Sequence, residues 1–112
     1  MGRELTCYFI KEDSWITEQG LSWERDEELF SLFKKHLPMH SSKPLKDVIT
    51  TYEHTEDAYR EPLQFAFAGV VETVLRSHPK KEGLANLSDW NQAIAAFIHA
   101  LPSSTPIVFY WC

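Results

Sequence analysis

From Ser88 to Leu101 the chain sets Trp90, Ala93, Ile94, Phe97, Ile98 and Leu101 on one face of a helix, with Ser88 placed to cap its first turn. The same spacing of three and four runs through Leu63, Ala66, Phe67, Val70, Val71, Val74 and Leu75. With Pro62 at the first helical position, it predicts a second helix reaching about Ser77. A third is expected between Ser22 and Pro38. Ser22 caps it, Glu24, Asp26, Glu27 and Glu28 load its first turns, and Lys34, Lys35 and His36 complement the dipole at its end. Its apolar stripe is Trp23, Leu29, Phe30, Phe33 and Leu37.

Strand composition marks both ends of the chain. Residues 4 to 10 are β-branched and aromatic and stop at Lys11-Glu12-Asp13, whereas Ile107 to Trp111 is an unbroken apolar run of the kind buried on both faces. Asp13 or Ser14 caps a brief helical turn through Trp15 and Ile16 that Gly20 ends. Residues 48 to 52 read two ways: Val48, Ile49, Thr50, Thr51 and Tyr52 have strand composition, while Leu45, Val48, Ile49 and Tyr52 also fit a helical face. The strand reading is preferred, with Thr55 capping a turn through Tyr59. The resulting order is β-α-(β)-α-α-β. Helices between strands require crossovers, so the expectation is one α/β domain over residues 1–112, with a small, mainly parallel sheet of three strands and about four helices. That order is similar, in topology alone, to the barstar-like inhibitors of bacterial ribonucleases, a likeness that implies a small protein acting by binding another.

Composition narrows the function classes. A chain of 112 residues, 44% hydrophobic and 13% aromatic, can bury a core without metal or disulfide staples, and this excludes disorder and coiled coil. A formal net charge of -5 argues against a general nucleic-acid binder, which needs cations to neutralise phosphates. The charge is also localised. Up to residue 30, Arg3, Lys11 and Arg25 face Glu4, Glu12, Asp13, Glu18, Glu24, Asp26, Glu27 and Glu28, and the remaining residues balance. Helix-dipole compensation covers part of this, but Glu24 and Glu28 are like charges one turn apart.

A second acidic group, Glu53, Glu56, Asp57 and Glu61, follows the expected middle strand. In a parallel sheet it would emerge beside Glu12 and Asp13, at the edge where partners of such sheets bind. Trp15, Trp23, Tyr52 and Tyr59 interleave with these acids. Acids steer a basic partner and aromatics anchor it, so the candidate contact residues are Glu12, Asp13, Trp15, Glu24, Glu28, Glu53, Glu56, Asp57 and Tyr59. The leading expectation is a cytoplasmic inhibitor of the immunity or antitoxin type that masks a basic, nuclease-like toxin.

Competing chemistry is thinner. His54, with Glu53 and Glu56 nearby, is the best single general base and carries the alternative of a small hydrolase. His36 and His40 have metal-pair spacing, but Pro38 breaks the helix between them and no third ligand is evident. The basic run Arg76, His78, Lys80 and Lys81 reads as dipole complementation. Four glycines build no phosphate loop or nucleotide fingerprint, so no cofactor is expected. Cys7 and Cys112 read as reduced thiols, near each other if the outer strands pair. Neither a signal peptide nor a membrane-length apolar run is visible. A subunit of an oligomer is a third alternative.

Overall fold

The computed structural model describes residues 4–12, 14–17, 20–77 and 87–112. Its elements run β1 (Leu5–Phe9), β2 (Ile16–Thr17), β3 (Gly20–Ser22), α1 (Glu27–His36), β4 (His40–Ser41), β5 (Leu45–Asp47), β6 (Glu53–His54), β7 (Gln64–Phe67), α2 (Ala68–Arg76), α3 (Asp89–Ala100) and β8 (Pro106–Trp111). A five-stranded sheet has the order β3-β1-β8-β7-β4, with every neighbouring pair antiparallel. A second, three-stranded sheet has the order β2-β5-β6, parallel at β2/β5 and antiparallel at β5/β6.

The expected mainly parallel three-stranded sheet with about four helices is therefore incorrect, and the likeness in element order to the barstar-like inhibitors goes with it. The error starts at Pro62. Gln64 to Phe67 form a strand paired with β8 on one side and β4 on the other, and helix α2 begins only at Ala68. Leu63, Ala66, Phe67, Val70 and Val71 do fit a helical face, but pairing with an apolar central strand outweighs that local fit. First and last strands do lie side by side, with Cys7 opposite Phe109, although they run in opposite directions.

β8 is buried on both faces because the large sheet has a layer on each side. On one, Leu5, Cys7, Ala66, Ile107 and Phe109 pack with helical residues including Leu29, Phe33, Val71, Leu75, Ile94 and Ile98. On the other, Ile10, Leu63 and Val108 pack with Leu45 of the small sheet, and Tyr8, Trp15, Phe65 and Tyr110 close over them. Side chains along β8 thus alternate between helices and small sheet, as the strand's two-residue period requires.

Residues 48 to 52 are neither strand nor helix. They form the loop of the β5–β6 hairpin, where the Asp47 carboxylate accepts the Ile49 N–H at 2.8 Å and the Thr50 N–H at 3.1 Å. That side chain captures donors a strand ladder would have used, and Thr51 turns the chain at φ 59°. The strand-forming residues are left at the tip, with Val48 53% and Ile49 92% exposed. Similarly, Trp15 and Ile16 form no helical turn: Ile16 opens β2, and the proposed cap Asp13 lies outside the described residues.

Asp26, rather than Ser22, caps α1 by accepting the Leu29 N–H at 3.0 Å. Ser22 ends β3 instead, its hydroxyl 2.9 Å from that of Thr6. Trp23 is buried against Phe33 and donates its ring N–H to the Cys7 sulfur at 3.1 Å. Ser88 caps α3 as its spacing predicts, but the buried face is Asn91, Ile94, Ala95 and Ile98. Trp90 and Phe97 remain 49% and 42% exposed. Of the basic run, Arg76 pairs with Glu72 at 3.1 Å, while His78, Lys80 and Lys81 lie outside the described residues.

Candidate functional site

Strand directions sort the loops to two ends of the large sheet. β1 and β7 begin at the end where β3 and β8 finish, which is marked by Trp111. At this Trp111 end, Glu4 and Cys112 exchange main-chain hydrogen bonds of 2.6 and 2.9 Å, and the Ala58 N–H donates to the Trp111 carbonyl at 3.1 Å. The last contact ties down the loop from Thr55 to Leu63.

Asp57 organises that loop from within. Its carboxylate is buried and accepts the N–H groups of Tyr59 at 2.8 Å and Glu61 at 3.1 Å, and its own N–H donates to the Glu61 carbonyl at 2.9 Å. Asp57, not Thr55, is the capping residue of the turn, and Arg60 completes it at φ 61°. Tyr59 consequently stands out at 44% exposure, its hydroxyl donating to the Cys112 carbonyl at 3.4 Å. Across from the loop, α1 brings Phe30 edge-on to Trp111 at 5.5 Å and sets the Lys34 ammonium 4.8 Å from the Trp111 ring centre. A cleft of about 260 Å³ lies between, lined by residues including Lys34, Asp57, Glu61, Gln64 and Trp111. Burial first, then the charges of Glu4 and Asp57, push the Cys112 thiol above its ordinary value.

The expected contact residues separate accordingly. Glu24, Glu56, Asp57 and Tyr59 gather at the Trp111 end, because β3 hands the chain to α1 there and Trp23 donates its N–H to the Leu5 carbonyl at 2.9 Å. Glu28 sits on the first turn of α1, on its solvent side with Lys35 and His36. Glu12 is at the opposite end, beyond β1. Trp15 and Glu53 belong to the small-sheet layer, where Trp15 packs edge-on against Phe65 at 5.4 Å and Glu53 faces Lys46 in the β5/β6 register. Asp13 lies outside the described residues. The single acidic edge depended on parallel strands, and antiparallel strands deliver alternate loops to opposite ends. Trp111 and Lys34 were hidden among core and dipole residues; only contact across elements reveals them.

No protein family, curated protein or solved structure matches this chain.

Opposite the Trp111 end is a larger cleft of about 500 Å³, formed where β1 leaves the sheet, where α3 ends and where β8 begins. His54 lies on neither end; it stacks edge-on with Tyr52 at 4.9 Å, near Asp47, whose carboxyl the Thr50 and Ile49 N–H groups hold below its ordinary value. His40 packs against Phe65 and Phe67 at 5.2 and 5.4 Å, apart from His36 at the end of α1. Among the described residues no three His, Cys, Asp or Glu side chains group to hold a metal ion, and no helix is long and apolar enough to cross a membrane.

Proposed function

We propose that this domain binds another protein through its Trp111 end, and that the partner is basic, a nuclease-type toxin that the chain inhibits in the cytoplasm. The observation behind this reading is the placement of Trp111, and of Tyr59 on a loop already fixed by Asp57, beside Glu4 and Glu61 at one end of the sheet, the end at which Glu24 and Glu56 also lie. Carboxylates raise the association rate of a cationic partner, and a pre-ordered aromatic adds contact area at little entropic cost. A nuclease active site is basic because it holds phosphates, so it has the complementary charge.

The test is association with basic nucleases captured from the native host, followed against salt concentration. Glu56→Lys/Glu61→Lys and Glu24→Lys are expected to slow association, the double variant by about tenfold at low salt, and less as salt rises. Asp57 is left intact, since its replacement would undo the loop. Tyr59→Ala should accelerate dissociation instead. Association that ignores salt, or charge-reversed proteins that bind like the parent, would overturn the proposal.

A second reading rests on the hairpin tip. Ile49 at 92% exposure, with Val48 and Tyr52 beside it, suits a subunit that buries this tip against a neighbour. Light scattering distinguishes the two: a mass above that of the monomer that falls in Ile49→Ser supports the oligomer.

A further inference from the structure

We propose that the 500 Å³ cleft at the end of the sheet opposite Trp111 is a binding site for a free apolar α-amino acid. It lies apart from the surface assigned to the protein partner and does not depend on that assignment. Its walls are Phe9, Ile10, Ile16, Phe97, Leu101 and Pro102. Phe97 is 42% exposed in a helix whose Ile94, Ala95 and Ile98 are buried, and its ring meets Phe9 edge-on at 4.8 Å. An aromatic pair held open at one side of a cleft this size suits an aromatic or branched aliphatic body, within the usual range for ligand sites of about 300–1,000 Å³.

The polar groups of the cleft specify the head of the ligand. Among the described residues they are Lys11, Glu12, Ser14 and Thr105: one cation, one anion and two hydroxyls. The Ser14 N–H donates to the Lys11 carbonyl at 2.7 Å and Glu12 sits at φ 47°, while the Ile10 N–H anchors β1 to the Pro106 carbonyl at 3.0 Å. Among the described residues neither Lys11 nor Glu12 is ion-paired. A purely apolar ligand would leave both charges unused. A lone carboxylate would meet Lys11 but also Glu12, and a lone amine the reverse. The α-amino acid head offers each charge its opposite, the carboxylate to Lys11 and the ammonium to Glu12, with the hydroxyls as further partners.

The experiment titrates the intact protein with L-phenylalanine and L-leucine, read by calorimetry and by amide chemical shifts, with 3-phenylpropanoate and 2-phenylethylamine as analogues lacking one charge. The expected result is saturable millimolar or tighter binding of the amino acids, with shifts at Phe9, Ile16, Phe97 and Leu101. Each single-charge analogue, and each of Lys11→Gln and Glu12→Gln, should bind about tenfold more weakly. The glutamine variants occupy exposed positions and keep the test decisive should Phe97→Ala disturb α3. Glu56→Lys/Glu61→Lys should leave phenylalanine affinity unchanged. Analogues that bind as tightly as phenylalanine, shifts centred elsewhere, absence of saturation, or a protein partner that occupies the cleft without competition from phenylalanine would each overturn the assignment.

Discussion

Asn91 grips the main chain of Glu24 from both sides: its Oδ1 accepts the Glu24 N–H at 2.8 Å and its Nδ2 donates to the Glu24 carbonyl at 3.0 Å. The Asn91 residue is 1% exposed, so one side chain does for the β3–α1 connection what a neighbouring strand would otherwise do. Trp90 reinforces it by donating to the Ser22 carbonyl at 2.7 Å. Asn91→Ala leaves both Glu24 groups without this partner and should cost about 2–4 kcal/mol in urea unfolding, the sum of two unmade hydrogen bonds. Asn91→Asp keeps the shape but loses the donor and should also destabilise. A loss below about 0.5 kcal/mol for the alanine variant would show that the clamp is dispensable.

Gly69 reports a close approach. An added Cβ there would lie 2.9 Å from Cβ of Ser103, whose carbonyl accepts the Gly69 N–H at 3.0 Å. Gly69→Ala is expected to destabilise by about 1–3 kcal/mol through overpacking, more than the helix propensity it gains. Ser103→Gly in the same chain removes the colliding atom and should recover part of the loss. Equal costs in both backgrounds would rule out this contact as the cause.

Glu72 of α2 accepts hydrogen bonds from His99 of α3 and from Arg76, and these two, His99 first, hold its carboxyl below the usual carboxylate value. The folded carboxyl therefore takes up a proton less readily than the unfolded one. Its contribution is complete above the unfolded-chain value and disappears as pH falls through the depressed folded value, a window opening downward from about pH 4.5. Stability measured across that window should decline less steeply in Glu72→Gln than in the parent, and parallel declines would contradict the clasp.

The two thiols should behave differently. Cys7 is fully buried beneath Trp23, and burial pushes its thiol up to about 12. Cys112 is exposed and pairs with Glu4, so it sits three register steps from Cys7, about 10 Å along the strand. That separation forbids a disulfide between them. A thiol reagent should modify Cys112 in the native state and Cys7 only after denaturant is added. Rapid modification of both in buffer would contradict the burial.

Several elements were legible because their signals are local. Ser88 announced α3, Lys34 to His36 announced the end of α1, and the run from Ile107 to Trp111 announced a strand covered on both faces. Strand direction is not a local property, and the parallel sheet was inferred from helices that stand between strands. Pro62 to Phe67 satisfies two periods at once, and the choice between them depends on a strand some forty residues later. Residues 48 to 52 have strand-forming composition but form no strand, because Asp47 and a positive φ at Thr51 bend them into a turn. The acids of the candidate site were visible one by one. Their division between two ends followed from the antiparallel order, and the lysine beside Trp111 required a contact between α1 and β8.

β8 lies between β1 and β7, and its partners in β1 precede it by about one hundred residues. During synthesis the helices and the outer strand pairs therefore emerge before the strand that joins them. Until Pro106 to Trp111 are available, β3–β1 and β7–β4 remain separate hairpin-sized fragments, too small to persist on their own. Folding must close nearly the full length of the chain in its decisive step, which makes it slow relative to helical proteins of this size. A chain interrupted ahead of Pro106 would yield two unjoined half-sheets, each with an open edge and an apolar face available for aggregation.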